Sequence, residues 1–170
     1  MKFLLVTYND SDGVGQTVVN LNSSLNKLGH NSRIILLNKT FNLENVFEIK
    51  RSFFKRSFFY FLEFFKKRFS DLFSFGNSTI NFNSLKQYID EADIVIIYTL
   101  HKFLSVKMLS KISKRKIVYL RPLDMELATG GCHVNFLYEN SKECKKYLQG
   151  CHSCPKLNNL NFLNISHKIF

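Results

Sequence analysis

The opening forty residues constrain the fold more than any other part of the chain. Lys2–Tyr8 is a β-rich apolar run, Asn9-Asp10-Ser11-Asp12-Gly13-Val14-Gly15 is a turn-forming stretch, and from Gln16 Val18, Val19, Leu21, Leu25 and Leu28 recur at helical spacing. Gly29 stops that helix, and Ser32–Leu37, rich in Ile and Leu, begins a second strand. An uninterrupted apolar strand is one buried on both faces, as parallel strands are. Strand, loop, helix and strand at this length form a right-handed βαβ unit.

The rhythm resumes beyond residue 80. Ser84–Ala92 is predicted as a short helix, Ile94–Leu100 as a buried strand, Phe103–Ile112 as a helix and Lys116–Leu120 as a strand ending at Arg121-Pro122. Strands alternating with helices predict an α/β fold, a Rossmann-like doubly wound parallel sheet over residues 1–125. Residues 126–170 then form a small Cys-rich subdomain. At 170 residues and 45% apolar the chain is long enough for one domain and apolar enough to fill its core, which excludes wholesale disorder. No apolar run approaches the ~18–20 residues that cross a bilayer. The apolar amino terminus ends at Tyr8-Asn9-Asp10 with no small-residue cleavage site, so the expectation is a cytoplasmic protein.

Residues 45–75 interrupt the pattern. Phe54, Phe58, Phe61, Phe65, Phe69 and Leu72 follow one another by four, three, four, four and three positions, a helical stripe. Lys55, Arg56, Lys66, Lys67 and Arg68 lie mostly off it. Rings beside cations suit a helix lying on an anionic membrane surface, on the inner face of the cytoplasmic membrane, where each basic residue contributes roughly 1 kcal/mol. The alternative is an insertion packing its Phe stripe on the sheet. The net charge of +11, from 24 Lys+Arg against 13 Asp+Glu, fits a membrane or a phosphate-bearing ligand. Nucleic acid is disfavoured, because the charge concentrates on the Phe-rich segment and the cysteine tail offers no recognition helix.

Three groups of residues could carry chemistry. The Gly13-Val14-Gly15 loop opens a helix, where glycine admits close approach and free N–H groups attract anions, although a plain tight turn explains it equally. It lacks the third glycine of a dinucleotide fingerprint and the Lys of a P-loop. Arg121 and Asp124 follow a strand, and open α/β sheets bind ligands beyond the carboxyl ends of their strands. Arg121 could grip a phosphate or carboxylate bidentately and Asp124 could orient or deprotonate a sugar hydroxyl. The four cysteines, Cys132, Cys144, Cys151 and Cys154, are spaced C-x11-C-x6-C-x2-C. Such a set could hold a structural zinc, with His133 and His152 as spare ligands, or form disulfides or buried thiols. Elemental analysis of the purified protein separates zinc from the others.

The motifs Asp124-Met125, Thr129-Gly130-Gly131-Cys132-His133, Cys144 and Cys151-x-x-Cys154-Pro155-x-Leu157 resemble the signature of a bacterial branch of glycosyltransferase family 4. The Gly loop, Leu28-Gly29-His30 with Ser32, and Tyr98-Thr99-Leu100-His101 fit the same pattern, so the resemblance spans nearly the whole chain outside 45–75. It implies a GT-B enzyme of two Rossmann-like domains facing a cleft, the first binding the acceptor and the second a nucleotide-sugar donor. The implied reaction is retaining hexosyl transfer, with no catalytic metal, to a lipid-linked or polysaccharide acceptor. On this resemblance Gly13, Gly15, Gln16 and His101 line the acceptor side, and Asp124 and Arg121 are the catalytic candidates. Three positions depart from the signature: Glu126 replaces a Trp, Val134 an aromatic and Leu123 a His. The donor domain is expected to be absent from this chain, whose sequence stops at Phe170, so the isolated chain is expected to be a fragment inactive alone.

Overall fold

The computed structural model describes residues 1–52, 54, 57, 78–100, 103–123, 136–137 and 142–143. The elements of the main body are β1 (Lys2–Val6), α1 (Gly13–Lys27), β2 (Asn31–Leu36), β3 (Val46–Glu48), α2 (Asn83–Glu91), β4 (Ile94–Ile97), α3 (Val106–Ser113) and β5 (Ile117–Leu120). All five strands are parallel in the order β3-β2-β1-β4-β5. That is the order of a Rossmann-like sheet, whose direction of winding reverses between β1 and β4. Apart from it, β6 (Phe136–Leu137) and β7 (Lys142–Glu143) pair antiparallel. Among the described residues no helix is long and apolar enough to cross a membrane.

Side-chain alternation explains why helices lie on both faces. Leu4 and Val6 point to a core shared with Leu85 and Ile89 of α2 and Met108 and Ile112 of α3. Leu5 points the other way, joining Val18 of α1, Ile34, Leu36 and Tyr98. Leu4, Leu5 and Val6 are therefore all buried, as a continuous apolar run predicts. The edge strand β5 differs: Ile117, Tyr119 and Leu120 are exposed.

Helix ends are set by particular residues. Asp12 caps α1, its carboxylate accepting the Gly15 N–H at 2.6 Å. The helix therefore starts at Gly13 and not at Gln16, because both glycines fall inside the first turn. At the other end Gly29 adopts φ +81, its N–H donates to Asn26 O at 3.0 Å and the His30 N–H reaches Leu25 O at 3.0 Å. Those two bonds are a Schellman closure, which needs a residue without a Cβ at this φ. The third helix begins later than the apolar stripe predicts: Phe103 and Leu104 are buried in a turn bonded to Leu100 O, and Ser105 caps the helix.

The short strand β3 falls inside the segment, residues 45–75, expected to be a helical insert, so Val46–Glu48 are strand and not helix. Of the basic aromatic segment only Phe54 among the named residues is described, and it is 83% exposed. Phe58, Phe61, Phe65, Lys55, Arg56, Lys66, Lys67 and Arg68 lie outside the described residues.

Candidate functional site

The loop joining β1 to α1 is tied down by a carboxylate that sequence patterning did not single out. Asp10 is buried, and its two oxygens accept the N–H groups of Thr40 at 2.9 Å and Phe41 at 3.0 Å. Burial raises its pKa, but the bonds from Phe41 and Thr40 outweigh that, and the carboxyl titrates below the ordinary aspartate value. Asp10 thereby joins the β1 loop to the loop after β2. Asn9 and Asn38 continue the join as a parallel bridge, and Asn38 accepts from the Arg51 guanidinium.

The three loop residues expected to meet a ligand have different duties. Gly15 stands against its own loop: a methyl group there would lie 2.5 Å from the Asn9 carbonyl oxygen and 2.8 Å from the Asn9 side-chain oxygen. Its glycine is therefore explained by packing. The Gln16 side-chain amide donates to Asp10 O at 2.8 Å and is likewise engaged in the loop. At Gly13, by contrast with Gly15, an added Cβ would meet nothing within 4 Å. Asp12 occupies the Gly15 N–H, and the Gln16 N–H bonds to Asp12 O. Among the described residues that leaves the N–H groups of Gly13 and Val14 at the helix start without a partner.

Arg121 reaches the same edge of the sheet from β5. It follows β5, its N–H donates to Ile97 O at 2.8 Å, and its Nη1 donates to the Tyr98 hydroxyl at 3.3 Å. The guanidinium carbon also lies 5.6 Å from the centroid of the Tyr98 ring, a cation–π contact. The α1 start follows β1 and Arg121 follows β5, with β4 between them, so the two features share one edge of the sheet about 10 Å apart by strand spacing. Asp124, His101 and the cysteines Cys132, Cys144, Cys151 and Cys154 lie outside the described residues.

The opposite edge of the sheet is structurally committed. Lys116 Nζ donates to two carbonyls at the end of α2, Asp90 O at 2.8 Å within the helix and Ala92 O at 2.7 Å just beyond it, and Arg115 pairs with Asp90 at 3.5 Å. A shallow open depression there is lined by Ala92, Asp93, Ser113, Arg115, Lys116 and Ile117. Its cations already serve the fold. Among the described residues no carboxylate pairs with Arg121 and the Gly13 and Val14 N–H groups have no partner, so of the two edges the carboxyl edge is the better equipped to receive an oxyanion.

No family model, curated protein or solved structure matches the chain.

Proposed function

We propose that the chain is the acceptor-binding domain of a retaining, nucleotide-sugar-dependent glycosyltransferase acting on a lipid-linked or polysaccharide acceptor. The observation that carries this reading is the carboxyl edge itself. A β3-β2-β1-β4-β5 parallel sheet brings the Gly13 helix start and Arg121 to the two sides of its switch point. The Thr129-Gly130-Gly131-Cys132-His133 and Cys151-x-x-Cys154-Pro155 motifs supply the chemical identity by resemblance. In this reading Arg121 holds an anionic group of the acceptor and Asp124 orients or deprotonates its nucleophilic hydroxyl. The donor is held by a second Rossmann-like domain.

The test is isotope transfer from nucleotide-sugars to membrane extract, with the chain alone and with a supplied donor domain. Transfer is expected only with the donor domain, and Arg121→Ala should lower it by about tenfold to a hundredfold, the worth of a charge-assisted bond. Absence of transfer in both arrangements would count against the reading.

A peripheral membrane-binding module without catalysis is the second reading, and the exposed Phe54 ring at the start of the basic aromatic segment favours it. Flotation with anionic liposomes separates the two. The wild type should float and the Phe58→Asp, Phe61→Asp double variant should stay in the dense fraction; equal flotation removes the segment from membrane binding.

A further inference from the structure

The two outer strands of the sheet present their free sides differently. At β3 the Ile34 N–H donates to Asn45 O at 2.8 Å and the Ile49 N–H to Leu36 O at 2.8 Å, so Val46 and Glu48 turn their backbone groups outward. That side is blunted. The strand has three residues, Glu48 is charged and exposed, and the outward Val46 carbonyl accepts from Lys39 Nζ at 2.8 Å. Short strands, charges and lysines are the devices that keep an outer strand from pairing with another chain.

On β5 none of these devices is present. The Arg121 N–H donates to Ile97 O at 2.8 Å, so by alternation Ile117 and Tyr119 turn their backbone groups to β4 while Val118 and Leu120 turn theirs outward. Among the described residues no strand pairs with that side and no side chain bonds to it. The run Ile117-Val118-Tyr119-Leu120 holds no charge and no proline. Its side chains are uncovered on both faces. Ile117 and Tyr119, which share the α1 face with Ile96, are 60% and 57% exposed, and Leu120 on the other face is 44% exposed.

We propose that β5 receives one more strand, an extended segment of a partner protein that is apolar in its middle and acidic at its ends. Such a segment takes up the outward N–H and C=O groups of Val118 and Leu120 and covers Ile117, Tyr119 and Leu120. Charge selects the partner. The basic turn Lys114-Arg115-Lys116 precedes the strand and Arg121 follows it, and of these four cations only Arg115 pairs with a carboxylate among the described residues. A second copy of the chain is disfavoured. Two β5 strands paired antiparallel about their centres would set Lys116 of each opposite Arg121 of the other, and each chain carries a net charge of +11. Carboxylates at the ends of an incoming strand meet these cations whichever way it runs. This docking is independent of the acceptor-binding reading.

The test uses the intact chain and two capped synthetic peptides of alternating valine and threonine, one ended by glutamates and the other by lysines, with amide hydrogen exchange as the readout. In the free protein the Val118 and Leu120 amides should exchange at least about a hundredfold faster than those of Tyr119 and Arg121, which bond to β4. The glutamate-ended peptide should bind saturably and slow Val118 and Leu120 by about tenfold or more while Tyr119 and Arg121 stay unchanged. The lysine-ended peptide should bind at least about tenfold more weakly. Leu120→Pro deletes one outward N–H at a position where an outer strand tolerates proline, and should weaken binding by about tenfold. Ile117→Lys, which puts a charge into the apolar run, should do the same and serves if the proline variant does not fold. Slow exchange of Val118 and Leu120 in the free protein would overturn the proposal. Independent of protein concentration, it would mean that the chain's own residues cover β5; growing with concentration, it would mean that a second copy does. Absence of saturable binding, or equal binding of the two peptides, would overturn the acidic partner, and wild-type affinity in the folded variant would remove β5 from the binding.

Discussion

Gly15→Ala should destabilise the protein by about 3 kcal/mol, near the top of the range for overpacking, whereas Gly13→Ala should stabilise it by about 0.5 kcal/mol. The asymmetry follows from what each added methyl meets. At position 15 it would enter the space of the Asn9 backbone oxygen at 2.5 Å, and a carbonyl anchored in the loop cannot swing aside as a flexible side chain would. Relief requires moving the 9–10 loop, which pulls Asp10 off Thr40 and Phe41 and Asp12 off the Gly15 N–H. At position 13 the methyl meets nothing, and alanine removes backbone freedom from the unfolded chain. Urea denaturation of the two variants checks both signs. Equal small effects would mean that the first turn of α1 is not packed on the loop. Because Gly13→Ala leaves the fold intact, it also serves as a clean probe of close ligand approach at the helix start.

The second large effect belongs to Asp10. Asp10→Ala leaves the Thr40 and Phe41 N–H groups without acceptors, and a loss of about 3 kcal/mol is expected for two charge-assisted bonds in a buried site. The sign of its pH dependence follows from its depressed pKa. Above the ordinary aspartate pKa of about 3.9 the native carboxylate contributes its full stabilisation. As the pH falls below that value and through the lower folded-state pKa, the contribution disappears. The wild type should therefore lose more stability than Asp10→Asn between pH 5 and about pH 2.5, measured by urea midpoints. Parallel pH profiles for the two proteins would show that Asp10 is not the group titrating.

What was legible in the sequence was the set of elements that bury apolar residues at a regular period. β1, α1, β2, α2, β4 and β5 all form within a few residues of their predicted places, and in all but the largely exposed edge strand β5 a residue such as Leu4, Val18, Ile34, Leu85 or Val95 fills a core position. Boundaries moved where a cap outranked the period. Ser105 starts α3 although Phe103 and Leu104 continue the apolar stripe, and Asp12 pulls α1 back over its glycines. The strand β3 was hidden because in three residues only Val46 is buried, too little for any alternation to register.

For the candidate residues that are described, placement at one sheet edge was legible and wiring was not. Arg121 and the Gly loop do reach one edge of the sheet, as the rule for strand ends implies. The partner that holds Arg121 is Tyr98, 23 residues earlier, and the partners of Asp10 are 30 and 31 residues later. Such pairings come from strand order, which local pattern does not encode. Gly15 carries the reverse lesson. Its glycine looks like an opening for a ligand, yet the space a side chain would take is filled by Asn9.

The most direct test of where this protein does its work is amide chemical-shift mapping with a short-chain prenyl diphosphate sugar as the acceptor probe. Perturbations are expected at Thr7–Gln16, at Tyr98–Leu100 and at Arg121–Leu123, the residues of the carboxyl edge. Perturbations at Ala92, Asp93, Ser113 and Lys116 on the opposite edge, or none at saturating probe, would contradict an acceptor site at the switch point.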